Sequence, residues 1–186
     1  MNKIIKIALD GPSGSGKSTI AKALSEKLKI LYLDTGAMYR AVALKAIKCG
    51  VDPFDEEGVK TFIDDIDLKI KYENGSQRTF LDGEDVSGKI REPHVSMAAS
   101  NISSLKCVRL KMVEMQRKIA SEISCVLDGR DIGSYVLPNF HRRLHEQEDF
   151  CELDILPLHF YNLQQSFESQ QTCFASIPPG FHVYEP

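Results

Sequence analysis

One stretch limits the folds open to this chain more than any other: Gly11-Pro12-Ser13-Gly14-Ser15-Gly16-Lys17-Ser18, which fits the pattern G-x-x-x-x-G-K-[ST]. It follows the β-branched run Ile4-Ile5-Lys6-Ile7-Ala8-Leu9 and precedes a segment in which Ile20, Ala21, Leu24 and Leu28 share one helical face. A loop held between a strand and a helix in this way turns successive backbone N–H groups inward, because glycines put no Cβ in front of them. The helix expected from Lys17 adds partial positive charge at its N-terminus. Such a loop is expected to hold the phosphates of a nucleoside triphosphate, with Lys17 reaching the β- and γ-phosphates and the Ser18 hydroxyl meeting Mg2+. The alternative is a chance glycine- and serine-rich turn, and the strand–turn–helix context argues against it.

The alternation continues downstream. A second short apolar run, Ile30 to Leu33, ends in Asp34-Thr35-Gly36 and leads into Ala37 to Cys49, where Met38, Ala41, Val42, Lys45 and Ala46 fall at helical spacing. A third strand is expected at Cys125-Val126-Leu127, ending in Asp128-Gly129-Arg130-Asp131. The β-α-β-α order predicts an α/β fold, an open parallel sheet flanked by helices. Between about residues 62 and 95 the character changes. Leu68-Lys69-Ile70-Lys71-Tyr72 alternates, Asn74-Gly75 is a hairpin turn signal, and Thr79-Phe80-Leu81 runs back, so a small antiparallel β insert is expected there. Val95 to Ile123 reads as helical, with Val108, Met112, Met115 and Ile119 as a core stripe. Cys49, Cys107 and Cys125 read as small core residues, and His94 as a loop residue beside Pro93.

Composition excludes several classes. The chain of 186 residues has a net charge of -3, which gives no electrostatic reason to expect nucleic acid or an acidic membrane as partner. Five cysteines without a C-x-x-C pair argue against a disulfide framework and a zinc site. No apolar run approaches the ~18 residues a membrane helix needs, and the N-terminus lacks a signal-peptide layout, so a cytoplasmic protein, expected to be a monomer, is predicted. The charge is unevenly spread: residues 1–139 hold 21 Lys/Arg against 19 Asp/Glu, whereas residues 140–186 hold 2 against 7 and no lysine. That tail also carries 6 of the 9 Phe and 5 of the 7 Gln, with no persistent helical or strand period.

Phosphate loops of this kind serve GTPases, motor-type ATPases and small-molecule kinases alike. No N-K-x-D guanine signature is present, and the chain leaves little room for a coupling apparatus. A kinase needs a second substrate opposite the loop, and the other strand ends carry suitable groups. The stretches GPSGSGKST, LDTGAMYR, LDGEDVSGKIREPHVSMAAS and LDGRDIGSYVLP occur in series between residues 11 and 138. In this order and spacing the chain resembles the bacterial cytidylate kinases, nucleoside monophosphate kinases of the phosphate-loop type. The resemblance, covering residues 4–138, implies that Gly11, Pro12, Ser13, Gly14, Ser15, Gly16, Lys17, Ser18 and Thr19 bind ATP. Lys17, Arg40 and Arg130 then act on the transferring and accepting phosphates, since guanidinium forks suit phosphate in two-point contact. Thr35, Arg40, Ser100, Arg109, Arg130 and Asp131 bind CMP or dCMP, with Ser100, Arg109 and Asp131 reading the base. Cytosine donates from its 4-amino group to an Asp/Ser pair and accepts from an arginine, whereas uracil would set a carbonyl against the carboxylate. Ser18 and Asp128 are the implied Mg2+ residues, Asp128 through water. Taken singly, Arg109 reads as a solvated helix residue, Asp131 as a turn cap and Thr35 as a helix cap.

The resemblance stops at Pro138-Asn139. The family continues with another core strand, an arginine-bearing lid and further elements; residues 140–186 have no counterpart, and Arg142 and Arg143 fall where a strand belongs. A core at residues 1–139 with a non-matching tail at 140–186 is therefore expected, the C-terminal part of the fold being missing or replaced. The coincident break in composition, period and resemblance points to a reading-frame shift near the Asn139 codon. Two consequences are expected: an exposed apolar edge at Ile4 to Leu9, and little kinase activity without lid arginines. A non-catalytic nucleotide-binding remnant is the alternative function.

Overall fold

The computed structural model describes residues 4–12, 14–73, 76–138, 142–144 and 182–185; Ser13, the Asn74-Gly75 turn, Asn139 and the remainder of the tail lie outside the described residues. The elements run β1 (Lys6–Asp10), α1 (Lys17–Leu28), β2 (Leu31–Asp34), α2 (Thr35–Cys49), α3 (Glu56–Ile63), β3 (Leu68–Glu73), β4 (Ser76–Leu81) and β5 (Glu84–Asp85). A 3-10 turn (Lys89–Arg91), α4 (Pro93–Ile102), α5 (Lys106–Glu122), β6 (Cys125–Gly129), a π-type turn (Ile132–Val136), β7 (Arg142–Leu144) and β8 (His182–Glu185) follow.

The main sheet has the order β2-β6-β1-β8-β7. Its first three strands are parallel, with Leu31↔Cys125 through Asp34↔Asp128 on one side of β6 and Lys6↔Cys125 through Asp10↔Gly129 on the other. Both faces are covered, which is why these strands are apolar throughout rather than alternating. Ile7, Leu9, Tyr32 and Val126 point to one side and pack with Ala21 and Leu24 of α1. Ala8, Leu33 and Leu127 point to the other and join Met38, Ala41 and Val42 of α2 and Val108 and Met112 of α5. Burial also holds the Cys125 thiol pushed up to about 12.

The antiparallel insert has the order β3-β4-β5, with Leu68↔Leu81 and Glu73↔Ser76 marking the ends of the hairpin register. It is not a separate body: Leu68, Leu81, Val86, Ile90 and Val95 belong to the same core as the sheet. Lys45 and Lys48 of α2 also reach across to Asp82 and Glu84 of the insert, each at 2.6 Å. Such exposed pairs fix orientation more than they stabilise.

Several expectations need correction. The structure adds α3, whose start at Asp55 is set by a side chain accepting from the Glu57 amide. His94 lies in the first turn of α4, because Pro93 suits an N-terminal helical position, where no N–H is required. Cys49 is exposed at the last turn of α2, beyond the end of that helix's buried stripe at Ala46. The tail supplies two short strands: β8 pairs antiparallel with β1 through Ala8↔Tyr184, Leu9↔Val183 and Asp10↔His182, and β7 pairs with β8. The edge of β1 is thus covered over those residues. Pairing of this kind is made by backbone N–H and C=O groups and requires no side-chain period in the strand that is added.

Candidate active site

The phosphate loop lies between β1 and α1. Gly14 and Gly16 have φ of 79° and 84°, the left-handed region that favours glycine, and Gly16 caps α1. The Lys17 ammonium donates to the Pro12 carbonyl at 2.8 Å, which lays the side chain back over the loop. At the end of β6, Asp128 is 5% exposed. Its carboxylate accepts from the Ser18 hydroxyl at 2.6 Å and from the Tyr32 hydroxyl at 3.3 Å. Burial raises the Asp128 carboxyl above its ordinary range; the Ser18 hydrogen bond opposes this and the charge of Asp34 adds to it. The Tyr32 phenol is raised as well, first by burial and then by the charges of Asp34 and Asp128. One hydroxyl and one carboxylate at the mouth of a phosphate loop form a hard oxygen set that fits Mg2+, an ion that keeps several waters and takes phosphate oxygens as ligands. Among the described residues no group of three or more His, Cys, Asp and Glu is placed to hold a metal by itself.

The neighbouring strand end builds a second cluster. Asp34 closes β2, and one of its oxygens accepts from the Ala37 amide at 2.9 Å, capping α2. The other accepts from Arg40 Nη2 at 3.1 Å and Arg91 Nη2 at 2.7 Å. Its own amide donates to Gln77 Oε1 of β4 at 2.8 Å. Arg40 is lowered from its usual value by burial, while the charge of Asp34 opposes that and the charge of Arg91 reinforces it. Thr35 is 4% exposed, and its hydroxyl donates to the Asp128 carbonyl at 2.6 Å.

A third cluster follows β6. Arg130 is exposed at the turn and makes no hydrogen bond or ion pair among the described residues. Asp131 accepts from Arg109 Nη2 of α5 at 2.6 Å, and the Arg109 guanidinium lies 5.8 Å from the centre of the Tyr135 ring. The Tyr39 phenol is raised, first by burial and next by the charge of Asp131. The turn itself is pinned from two sides. Asp10 accepts from the amides of Ile132 and Gly133, and Arg117 donates to the carbonyls of Tyr135 and Val136.

These clusters sit at the carboxyl ends of parallel strands, where open α/β sheets bind ligands. The profile of the cytidylate kinase family matches residues 7–144. This chain belongs to the cytidylate kinase family. A cytidylate kinase of Caldicellulosiruptor bescii is 50% identical over 137 residues, covering 74% of this chain and 61% of the relative. One of Pelotomaculum thermopropionicum is 52% identical over 141 residues, with 75% and 62% covered. One of Halalkalibacterium halodurans is 47% identical over 137 residues, with 74% and 62% covered. The chain thus spans about three fifths of the length of these relatives.

Within this cytidylate kinase framework, the structure brings Ser18 to Asp128, Arg109 to Asp131 and Arg40 to the mouth of β2. Ser100 is exposed on α4 and, with Arg130, joins none of the clusters by a side-chain hydrogen bond among the described residues. Thr35 is occupied beneath the site as a strap onto β6, and the cap of α2 is Asp34 rather than Thr35. Ser13 lies outside the described residues. Sequence reasoning missed Asp10, Tyr32, Asp34, Gln77 and Arg91. A carboxylate directly before a helix is a cap signal that marks Asp34. For Asp10, Gln77 and Arg91 the partners are distant in sequence and no local pattern announces them.

Among the described residues no helix is long and apolar enough to cross a membrane.

Proposed function

We propose that this chain is built to transfer the γ-phosphoryl group of ATP to CMP or dCMP. The observation that carries this reading is the tip of β6. There Asp128, bonded to the phosphate-loop Ser18, stands three residues before Asp131, bonded to Arg109, so one strand end serves both nucleotides. Gly11 to Thr19 hold ATP; Ser18, and Asp128 through water, would hold Mg2+, which when bound neutralises phosphate charge. Lys17 contacts the β- and γ-phosphates. Arg40 and Arg130 hold the acceptor's phosphate, and Arg109, Asp131 and Ser100 read cytosine. An oxygen of the acceptor phosphate attacks the γ-phosphorus, the bond to the β-phosphate oxygen breaks, and ADP leaves. Positioning and charge neutralisation supply the rate, because the protein has little covalent chemistry to perform. We place the protein in the cytoplasm as a monomer.

A second reading is a nucleotide-binding remnant without turnover, favoured by the break at Asn139. The family match ends at residue 144, and the relatives' remaining two fifths have no counterpart here. We propose that residues 1–139 are the kinase core and that a reading-frame shift near the Asn139 codon produced the tail. Sequencing the transcript across that codon tests this; an intact frame leading into a family-like continuation places the shift in the record of this sequence. An ADP-release assay with CMP, dCMP and UMP separates the two functions. The kinase reading expects CMP and dCMP to be phosphorylated in preference to UMP, below the ordinary range of ~1–100 s⁻¹. The remnant reading expects no turnover, with ATP binding that Lys17→Ala removes.

A further inference from the structure

Arg109 meets two different kinds of partner. Its Nη2 donates to Asp131 at 2.6 Å, and its guanidinium lies over the Tyr135 ring, 5.8 Å from the ring centre. The Arg109 and Asp131 side chains are 47% and 40% exposed, and an ion pair that open to water does little to hold a long side chain in one place. The ring adds a second restraint. It attracts the guanidinium through its face, which uses up none of the N–H donors that Arg109 can turn towards a base.

Tyr135 stands out from its own turn. Ile132, Val136 and Leu137 are buried there, whereas Tyr135 is 43% exposed and its ring goes to Arg109. Its backbone is nevertheless fixed on both sides: the amide donates to the Asp131 carbonyl at 2.9 Å, and the carbonyl accepts from Arg117 Nη2 at 2.7 Å. Arg117 Nε takes the next carbonyl, that of Val136, at 2.8 Å, so one planar fork spans two successive carbonyls. Arg109 and Arg117 lie about two turns apart on α5. The helix that presents Arg109 thus also fixes the backbone of the aromatic residue that holds it.

We propose that Tyr135 is a positioning residue for recognition of the base, its ring holding the Arg109 guanidinium and Arg117 holding Tyr135. This rests on the reading of Arg109 and Asp131 as the pair that reads cytosine. At N3 cytosine has a bare acceptor nitrogen and uracil an N–H, so a fixed arginine donor favours cytosine and a loosened one favours it less.

Calorimetric titration of the whole chain with CMP, UMP and ATP tests this. Tyr135→Leu is expected to lower the preference for CMP over UMP about threefold, the scale of an exposed cation–π contact, with ATP bound as before. Tyr135→Phe keeps the ring face and is expected to keep the preference. Arg117→Ala is expected to lower the preference when introduced alone and to lower it no further when combined with Tyr135→Leu. A fall in Tyr135→Phe as large as in Tyr135→Leu assigns the effect to the hydroxyl and overturns the proposal. Equal weakening of CMP, UMP and ATP in Tyr135→Leu, the mark of a structural role, overturns it too, and additive losses overturn the link through Arg117. No CMP preference in the unsubstituted chain, or none lost in Asp131→Asn, overturns the parent reading together with this one. A preference that falls in Asp131→Asn and stays unchanged in Tyr135→Leu overturns this one alone.

Discussion

The carboxylate of Asp10 holds the amide of Gly133 at 2.9 Å across 123 residues of sequence, and its other oxygen holds the amide of Ile132 at 2.7 Å. Asp10 is 4% exposed at the end of β1, directly before the phosphate loop, and Ile132 and Gly133 directly follow Asp131. The ATP side and the base-reading turn are therefore joined by one side chain. Asp10→Asn offers a single acceptor oxygen and sets an NH2 group against the second amide. It is expected to cost about 1–3 kcal/mol through the unpaired buried N–H. Urea melts read that loss, and titrations should show CMP weakened more than ATP, because the turn moves while the loop glycines remain.

Asp128 sets stability against function. Burial raises its folded-state pKa above the unfolded value, so between those two pKa values the folded chain binds more protons than the unfolded one. Stability from this group falls as pH rises through that window and stays lower above it. Asp128→Asn removes the buried charge, keeps an oxygen for Ser18 and turns an NH2 to the Tyr32 hydroxyl. Its melting temperature at neutral pH should be equal or higher, its stability should lose this pH dependence, and Mg2+-dependent ATP binding should collapse. Melting curves from pH 4 to 8 check the sign.

The bond between Arg109 and Asp131 fixes a donor and an acceptor side by side at 2.6 Å. Asp131→Asn presents a group that both donates and accepts, and so no longer sets a carboxylate against the uracil carbonyl. The ratio of kcat/KM for CMP over UMP is expected to drop at least about tenfold. The coupled assay gives both numbers from the same preparation.

Gly129 is a packing requirement. A Cβ there would stand 2.6 Å from Ile132 Cδ1 and 3.1 Å from Thr35 Oγ1. Ile132 is buried and Thr35 is tied to the Asp128 carbonyl, so neither yields easily. Gly129→Ala is expected to destabilise by about 1–3 kcal/mol, the usual scale of overpacking, which denaturant unfolding measures directly.

The parallel strands, the helices α1 and α2, the insert and the phosphate loop were legible because each rests on a local pattern. β-branched runs ended in glycine and aspartate, apolar residues recurred at helical spacing, and loop glycines stood where φ must be positive. Ser18, Asp128, Arg109 and Asp131 were legible through the serial order of four short stretches. What escaped was made by contacts between remote residues. Arg91 looks like any surface cation until Asp34 is placed beside it, and Asp10 like a strand-ending residue until the turn at Ile132 folds over it. Helix α3 has only eight residues, about two turns, so the spacing of Val59 and Ile63 on its buried side is too brief to stand out as a helical period. β8 escaped because edge pairing leaves little trace in composition.

The order of the sheet has a bearing on how the protein is made. β6 lies between β2 and β1, yet it is the last of the three to leave the ribosome, since it begins at Cys125. Until it is synthesised, β1 and β2 each lack their central neighbour, and two apolar strands wait through most of the core's translation. A nascent chain in that state has local helices and the β3-β4-β5 insert to form, and the main sheet closes late by long-range pairing, the slow and aggregation-exposed route. Ribosome pausing before residue 125 would prolong that exposure, whereas a circular permutant that starts at α5 would deliver β6 before both of its partners.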